Sequence, residues 1–238
     1  MAAVPGRLFG IGVGPGDPEL LTLKALRLLR AASVVAYPAP EQGDSFARSI
    51  VAMWLDVGQR EIAIRIPMQP GPPPAAIYDA AAAELATELD RGDDVALLCQ
   101  GDPFFYGSFI HLFTRLAGRY RTEIVPGVTS ITACAAAAST PLVTRDEALA
   151  VVPATLGEAE RARRLGESDA AAIVKLGRHF SKVRRVLREL GLLDSALYIE
   201  RATLPTQRVA PFACVDADEV PYFSTTLIRR RGAIEMNE

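Results

Sequence analysis

The chain has 238 residues, half of them apolar, and 26 basic against 28 acidic side chains leave a formal charge of −2. That length can bury one large core or two modest ones. The charge is spread along the chain and offers nucleic acid no basic footprint. The three cysteines, Cys99, Cys134 and Cys214, are too far apart for metal-ligand spacing, and two histidines exclude a histidine-rich metal centre. The first residues lack the charged-then-apolar layout of a signal peptide, and no run approaches the roughly 20 apolar residues that cross a bilayer. The expectation is a soluble cytoplasmic protein with reduced thiols, no bound metal, no nucleic-acid partner and no membrane partner.

Taken in order, the elements alternate between strand-like and helix-like patterns. Leu8-Phe-Gly-Ile-Gly-Val13 is a short apolar run closed by glycines, which suits a buried strand. After Pro18, Leu21, Ala25, Leu28, Leu29 and Ala32 fall on one helical face. Residues 33–37 form a strand that the spacing ends at Pro38, and Gln69 to Pro74 form a polyproline loop. An alanine-rich helix over 75–91 stops at Gly92. A buried strand over 94–100, a helix over 109–116, a strand over 123–125 and a helix over 130–139 follow. Pro141 to Asp146 reads as a break. Beyond it come strands at 149–152, 170–175, 196–199 and 223–229, with helices at 158–164 and 180–190. This order predicts an α/β protein with some parallel strands, in two domains, 1–144 and 145–238. The basic clusters Arg161-Ala-Arg163-Arg164 and Arg229-Arg-Arg231 read first as solvated surface.

Three places share one layout of apolar strand, glycine turn and helix. They are Gly12-Val-Gly-Pro-Gly-Asp-Pro-Glu19, Gln100-Gly-Asp-Pro-Phe-Phe-Tyr-Gly107 and Pro126-Gly-Val-Thr-Ser130. In open α/β sheets ligands bind beyond the carboxyl ends of the strands, where such junctions gather. Asp17 is placed as an N-cap with Pro18 in the first helical position. One Gly-Asp-Pro needs no ligand, since it serves as a helix start; two copies and a third glycine turn point to a pocket. The first loop lacks the dinucleotide fingerprint and the ribose-binding acid about 20 residues on, and no Gly-Lys-Ser/Thr is present. Pro15 removes a donor from the loop that would cradle phosphate. What fits is a ligand met by carbonyls, close backbone and an acidic side chain: a cationic sulfonium rather than a polyphosphate.

These three segments, in this order and spacing, resemble the tetrapyrrole methylase family of cobalamin and sirohaem biosynthesis, and the likeness runs to the end of the chain. Val35-Ala-Tyr-Pro38, Lys175-Leu-Gly-Arg178, Tyr198-Ile-Glu-Arg-Ala-Thr203 and Pro221-Tyr-Phe-Ser224 are most like the members that methylate C20 of precorrin-2. The resemblance implies two α/β domains with the active site in the cleft between them, a homodimer, and S-adenosylmethionine as methyl donor, leaving as S-adenosylhomocysteine. Carried over by position, it implies cofactor contacts at Pro15, Gln100, Gly101, Asp102, Phe105, Thr129 and Ser130. In the second half it implies Lys175, Leu176, Ala202 and Thr203. Many relatives have glycine where this chain has Gln100.

Methyl transfer from a sulfonium needs little activation of the donor, so positioning and water exclusion carry most of the acceleration. A proton must then leave C20, to a carboxylate, a ring nitrogen or water. Asp102 is the acid considered first as catalytic residue, and holding the cofactor is its alternative role. The implied substrate carries eight carboxylates, for which Arg145, Arg178, Lys182 and Arg201 stand at loop or helix-start positions. The competing readings are methylation at C2/C7, C11 or C17, a cobalt-containing substrate, and a non-enzymatic nucleotide-binding α/β protein.

Overall fold

The computed structural model describes residues 4–67 and 74–230. All of the proline loop but Pro74, and Arg231 of the second basic cluster, lie outside the described residues. The chain folds as two units, Met1–Thr129 and Ser130–Glu238.

The first unit holds β1 (Leu8–Gly12), α1 (Leu23–Ala31), β2 (Val34–Pro40), α2 (Phe46–Val51), β3 (Arg60–Ile66), α3 (Ala75–Asp90), β4 (Val95–Cys99), α4 (Phe109–Leu116) and β5 (Thr122–Val125). The strands form one parallel sheet in the order β3-β2-β4-β1-β5. Its strands read as unbroken apolar runs because both faces are covered. Leu8, Val34, Ala36, Val95, Leu97 and Cys99 face the core under α3 and α4. Their neighbours Phe9, Ile11, Val35, Tyr37, Ala96 and Leu98 face the core under α1 and α2. At Gly10 an added Cβ would lie 2.4 Å from the buried Phe109 ring, so glycine there lets α4 settle onto β1.

Two elements lie outside the sequence expectation, α2 and β3, although Ile62, Ile64 and Ile66 alternate as a strand should. Nor does β2 stop at Pro38. The Val34 amide donates to Asp94 on the β4 side, and Ala36, Pro38 and Pro40 share its parity. Pairing with β4 ends at Ala36 while pairing with β3 runs to Pro40. The amides that the prolines lack would have met no partner strand, so the prolines cost the sheet no hydrogen bond.

The second unit comprises α5 (Ser130–Ala137), β6 (Leu149–Pro153), α6 (Glu158–Gly166), β7 (Ala170–Val174), α7 (Phe180–Glu189), β8 (Ala196–Glu200), β9 (Arg208–Pro211) and β10 (Ser224–Arg229). Its sheet is mixed, in the order β6-β7-β10-β8-β9, with β6 and β7 parallel and every other pairing antiparallel. The α6–α7 side is packed on Val152, Ile173, Phe180, Val183, Leu187, Tyr198 and Phe212. Helix α5 packs on β10, so the division falls before α5 rather than at the break expected near 145. Strand β9 is likewise unexpected.

The basic clusters are not uniformly solvated. Arg163 and Arg164 are exposed and pair with Glu160, whereas Arg161 is only 1% exposed. Arg229 Nη2 donates to both carboxylate oxygens of Glu147, at 2.9 and 2.8 Å, with both side chains nearly buried. No helix among the described residues is long and apolar enough to cross a membrane.

Burial pushes the Cys99 thiol up to about 12 and the Cys134 thiol up to about 11, while Cys214 is exposed. A thiol-disulfide reagent at pH 8 should therefore titrate one thiol per chain at once in the native protein and three in denaturant. Two or three fast native thiols would contradict this packing.

Candidate active site

Because β4, β1 and β5 are adjacent and parallel, the three glycine junctions emerge side by side at the carboxyl edge of the first sheet. Gly14 and Gly101 form an antiparallel bridge, with Gly101 N–H donating to Gly14 O at 2.7 Å and Gly14 N–H to Gly101 O at 3.3 Å. The third loop is seated against both. A Cβ on Gly127 would stand 2.1 Å from Gly101 O and 2.8 Å from Gly12 Cα. A Cβ on Gly12 would stand 2.5 Å from Gly127 N. Three backbones meet where no side chain fits.

Asp102 fastens this arrangement. Its Oδ1 accepts from Phe104 N–H at 2.9 Å and its Oδ2 from Gly127 N–H at 3.1 Å, across the sheet edge. Asp17 repeats the local half of the device, accepting from Glu19 N–H at 2.8 Å. Neither Gly-Asp-Pro opens an α-helix, contrary to the expectation from composition. Asp17 caps a single 3-10 turn, Pro18–Leu20, after which Leu21 and Thr22 are extended; α1 starts beyond Thr22, whose Oγ1 accepts from Ala25 N–H. After Pro103 a turn reaches Gly107 before α4 begins at Phe109. The aspartate in each case satisfies the amide two residues on, and the chain leaves the turn instead of winding further.

The cofactor contacts implied by resemblance fall on this edge in the first unit. Pro15 and Gly101 are buried, and Gln100, Asp102, Phe105 and Thr129 are partly exposed. Gly101 adopts φ +68°, and a Cβ there would meet nothing closer than Val128 O at 3.8 Å. A ligand atom can thus lie against its backbone, in contrast to the closed Gly12–Gly127 contact. Tyr106, in the same loop, holds φ +56°, a conformation that costs a non-glycine residue about 1 kcal/mol or more.

In the second unit, β7 and β8 run in the same direction on either side of β10. Lys175 and Leu176 after β7, Arg201 to Thr203 after β8, and Pro221 to Phe223 before β10 therefore share one edge. Arg201 N–H donates to Phe223 O at 3.0 Å, and a Cβ on Gly177 would lie 3.5 Å from Tyr222 Cα. Lys175, Arg201 and Thr203 all hold positive φ, at 59°, 49° and 72°. Leu176 is fully buried, which leaves its backbone as the part able to meet a ligand. Buried Glu200 accepts a hydrogen bond from the Tyr198 hydroxyl, and desolvation followed by this carboxylate pushes the phenol well above its usual range. Arg178, Lys182 and Arg201 are exposed at or near this edge. Arg145 is not among them: it precedes β6, in the loop that Glu147 ties to Arg229 at the opposite end of the sheet. Ser130 opens α5. Among the described residues no group of histidine, cysteine, aspartate and glutamate is placed to hold a metal ion.

Loops converging beyond parallel strands, with their backbones in close approach, define an α/β protein built to hold a small ligand at that edge. The sequence matches the family described as Tetrapyrrole (Corrin/Porphyrin) Methylases over residues 7–214. The chain belongs to the tetrapyrrole methylase family. It is 47% identical over 241 residues to the Cobalamin biosynthesis protein CobIJ of Mycobacterium tuberculosis H37Rv, covering 96% of this chain and 47% of that protein. The chain thus spans about half the length of that relative. It is 42% identical to a Precorrin-2 C(20)-methyltransferase of a Sinorhizobium species, covering 94% of this chain and 95% of the other. The uroporphyrin-III C-methyltransferase of Thermus thermophilus, solved with S-adenosylhomocysteine, is similar with a TM-score of 0.67 at 25% identity. That match covers 93% of this chain and 97% of the other.

Proposed function

We propose that this chain transfers a methyl group from S-adenosylmethionine to C20 of precorrin-2, a metal-free tetrapyrrole, giving precorrin-3A in cobalamin biosynthesis. The observation that carries the reading is the convergence of three glycine loops on one sheet edge, closed at Gly12 and Gly127 and open beside Gly101. The likeness to the Sinorhizobium methyltransferase along nearly the whole of both chains supports C20 as the site. The family resemblance further supports a cytoplasmic homodimer.

The residues present fit the methyl donor. Carbonyl-rich, close backbone with a proline at position 15 favours a sulfonium over a phosphate. When bound, the sulfonium supplies an electrophilic methyl group for in-line displacement. The first unit's part is to fix the donor at Gln100, Gly101, Phe105 and Thr129 and to exclude water around it. Ser130, Lys175, Leu176, Ala202 and Thr203 complete the cofactor contacts on the family resemblance. Asp102, with both oxygens engaged by amides, fits loop positioning better than proton transfer. The proton from C20 then goes to a ring nitrogen or to water.

Incubation with purified precorrin-2 and S-adenosylmethionine should yield a product one methyl group heavier, with the new carbon located at C20 by NMR. A methyl at C2, C7, C11 or C17 would overturn the assignment of the carbon. Absence of any S-adenosylhomocysteine binding by calorimetry would overturn the whole reading.

A further inference from the structure

The sheet edge of the second unit carries far more positive than negative charge. Lys175, Arg178, Lys182, Arg201 and Arg208 all lie on it or in the first turn of α7. The acids near them are mostly occupied. Glu200 is buried against Tyr198 with Arg201 Nη1 4.0 Å away, Glu219 lies 3.5 Å from Arg208, and Glu158 is bound by Arg185. The side chains of Arg178 and Lys182 make no hydrogen bond or ion pair among the described residues, so two cations at the start of a ten-residue helix are left for another partner.

A second observation lies beneath them. Arg161, 1% exposed, projects from α6 and gives Nη2 to Ala154 O and Leu156 O, each at 2.6 Å, in the loop after β6. Its Nε and Nη1 are buried and meet no acceptor. Burial lowers the pKa of this guanidinium, and the carboxylate within electrostatic reach, Glu158, is the one that Arg185 holds. A buried cation without a matched anion is unfavourable, and nearby negative charge relieves it.

We propose that this edge is a carboxylate-binding rim, with Arg178, Lys182 and Arg201 gripping acetate and propionate side chains of the macrocycle over the buried charge of Arg161. The inference rests on the tetrapyrrole reading above and deepens it by naming where the anionic periphery is held. It leaves Arg145, at the other end of the sheet, outside the rim.

His179 reports on the rim from within. Burial lowers its pKa first, and Arg178, Lys182 and Arg161 lower it further; Glu158 is a nearby acid that interacts with two of these cations, Lys182 and Arg161. A bound carboxylate offsets those cations and raises the imidazole pKa. Only His111 and His179 occur in the chain, so His111→Gln leaves a single signal to follow by NMR.

The test uses uroporphyrin III, a stable macrocycle bearing acetate and propionate groups, titrated by fluorescence into the full chain with S-adenosylhomocysteine present. R178Q/K182Q should weaken macrocycle binding roughly tenfold or more, as expected for losing charge-assisted bonds. It should leave S-adenosylhomocysteine affinity within about twofold, because Lys175, Leu176, Ala202 and Thr203, the cofactor contacts assigned to this edge, are all kept in the variant. The His179 pKa should rise with macrocycle in the wild type and stay level in the variant. Equal macrocycle affinity in wild type and variant, or a His179 titration indifferent to macrocycle, overturns the rim. Failure of the wild type to bind S-adenosylhomocysteine overturns the proposed function instead. Because the exchanged side chains are exposed, a folded variant is expected, and Arg161→Met serves only as a confirming exchange.

Discussion

Gly127→Ala is expected to abolish S-adenosylhomocysteine binding and to lower the unfolding free energy by about 3 kcal/mol, the upper range for forcing a methyl into a closed contact. The atoms in the way are Gly101 O at 2.1 Å and the Cα and carbonyl carbon of Gly12, each at 2.8 Å. All are backbone, so no rotamer change makes room. Relief requires that the third loop lift from the first two, and that separates Gly127 N–H from Asp102 Oδ2 as well. Urea unfolding and calorimetry check both effects. A variant that binds ligand like the wild type would mean that the three loops are not held so closely in solution. Gly118→Ala, where nothing lies within 4 Å of the added carbon, is the matched control.

Asp102→Ala is the second large expected effect. It leaves the amides of Phe104 and Gly127 without their acceptor. Loss of two charge-assisted bonds at a partly exposed site corresponds to about 2 kcal/mol. The loss should appear chiefly as weaker cofactor binding, tens of times weaker if loop order is what the ligand requires. Asp102→Asn keeps one carbonyl oxygen as acceptor and should lie between wild type and alanine. Proton transfer by Asp102 predicts something else: affinity intact, kcat abolished in both variants, and the acid limb of the pH profile removed. Calorimetry beside a pH profile of kcat separates the two roles, and unchanged affinity in Asp102→Ala would refute the positioning role.

Much of the architecture is legible in the residues because burial leaves a periodic trace. The helical face at Ala25, Leu28 and Leu29, and the runs at 8–12, 95–99 and 170–174, lie where the pattern places them. The elements that the pattern misses have weaker traces. Helix α2 spans six residues, β9 is a four-residue edge strand, and β3 opens on two exposed residues and buries only Ile62 and Ile64. Pro38 misleads because a proline's effect depends on which neighbour its missing amide would have faced. Arg161 and Arg163 look alike in the chain, yet one is buried and the other exposed.

The class is readable from the residues alone: glycine junctions after apolar strands are local features, written in spacing and composition, and they carry the family. That Gly12, Gly101 and Gly127 meet, and that Asp102 bridges two loops rather than opening a helix, follows from the folded arrangement of the strands. It alone placed Lys175, Arg178 and Arg201 on one edge and Arg145 on the other. Those facts depend on strand order and direction, which juxtapose residues as distant along the chain as Gly12 and Gly127, and no local pattern encodes which strand becomes whose neighbour.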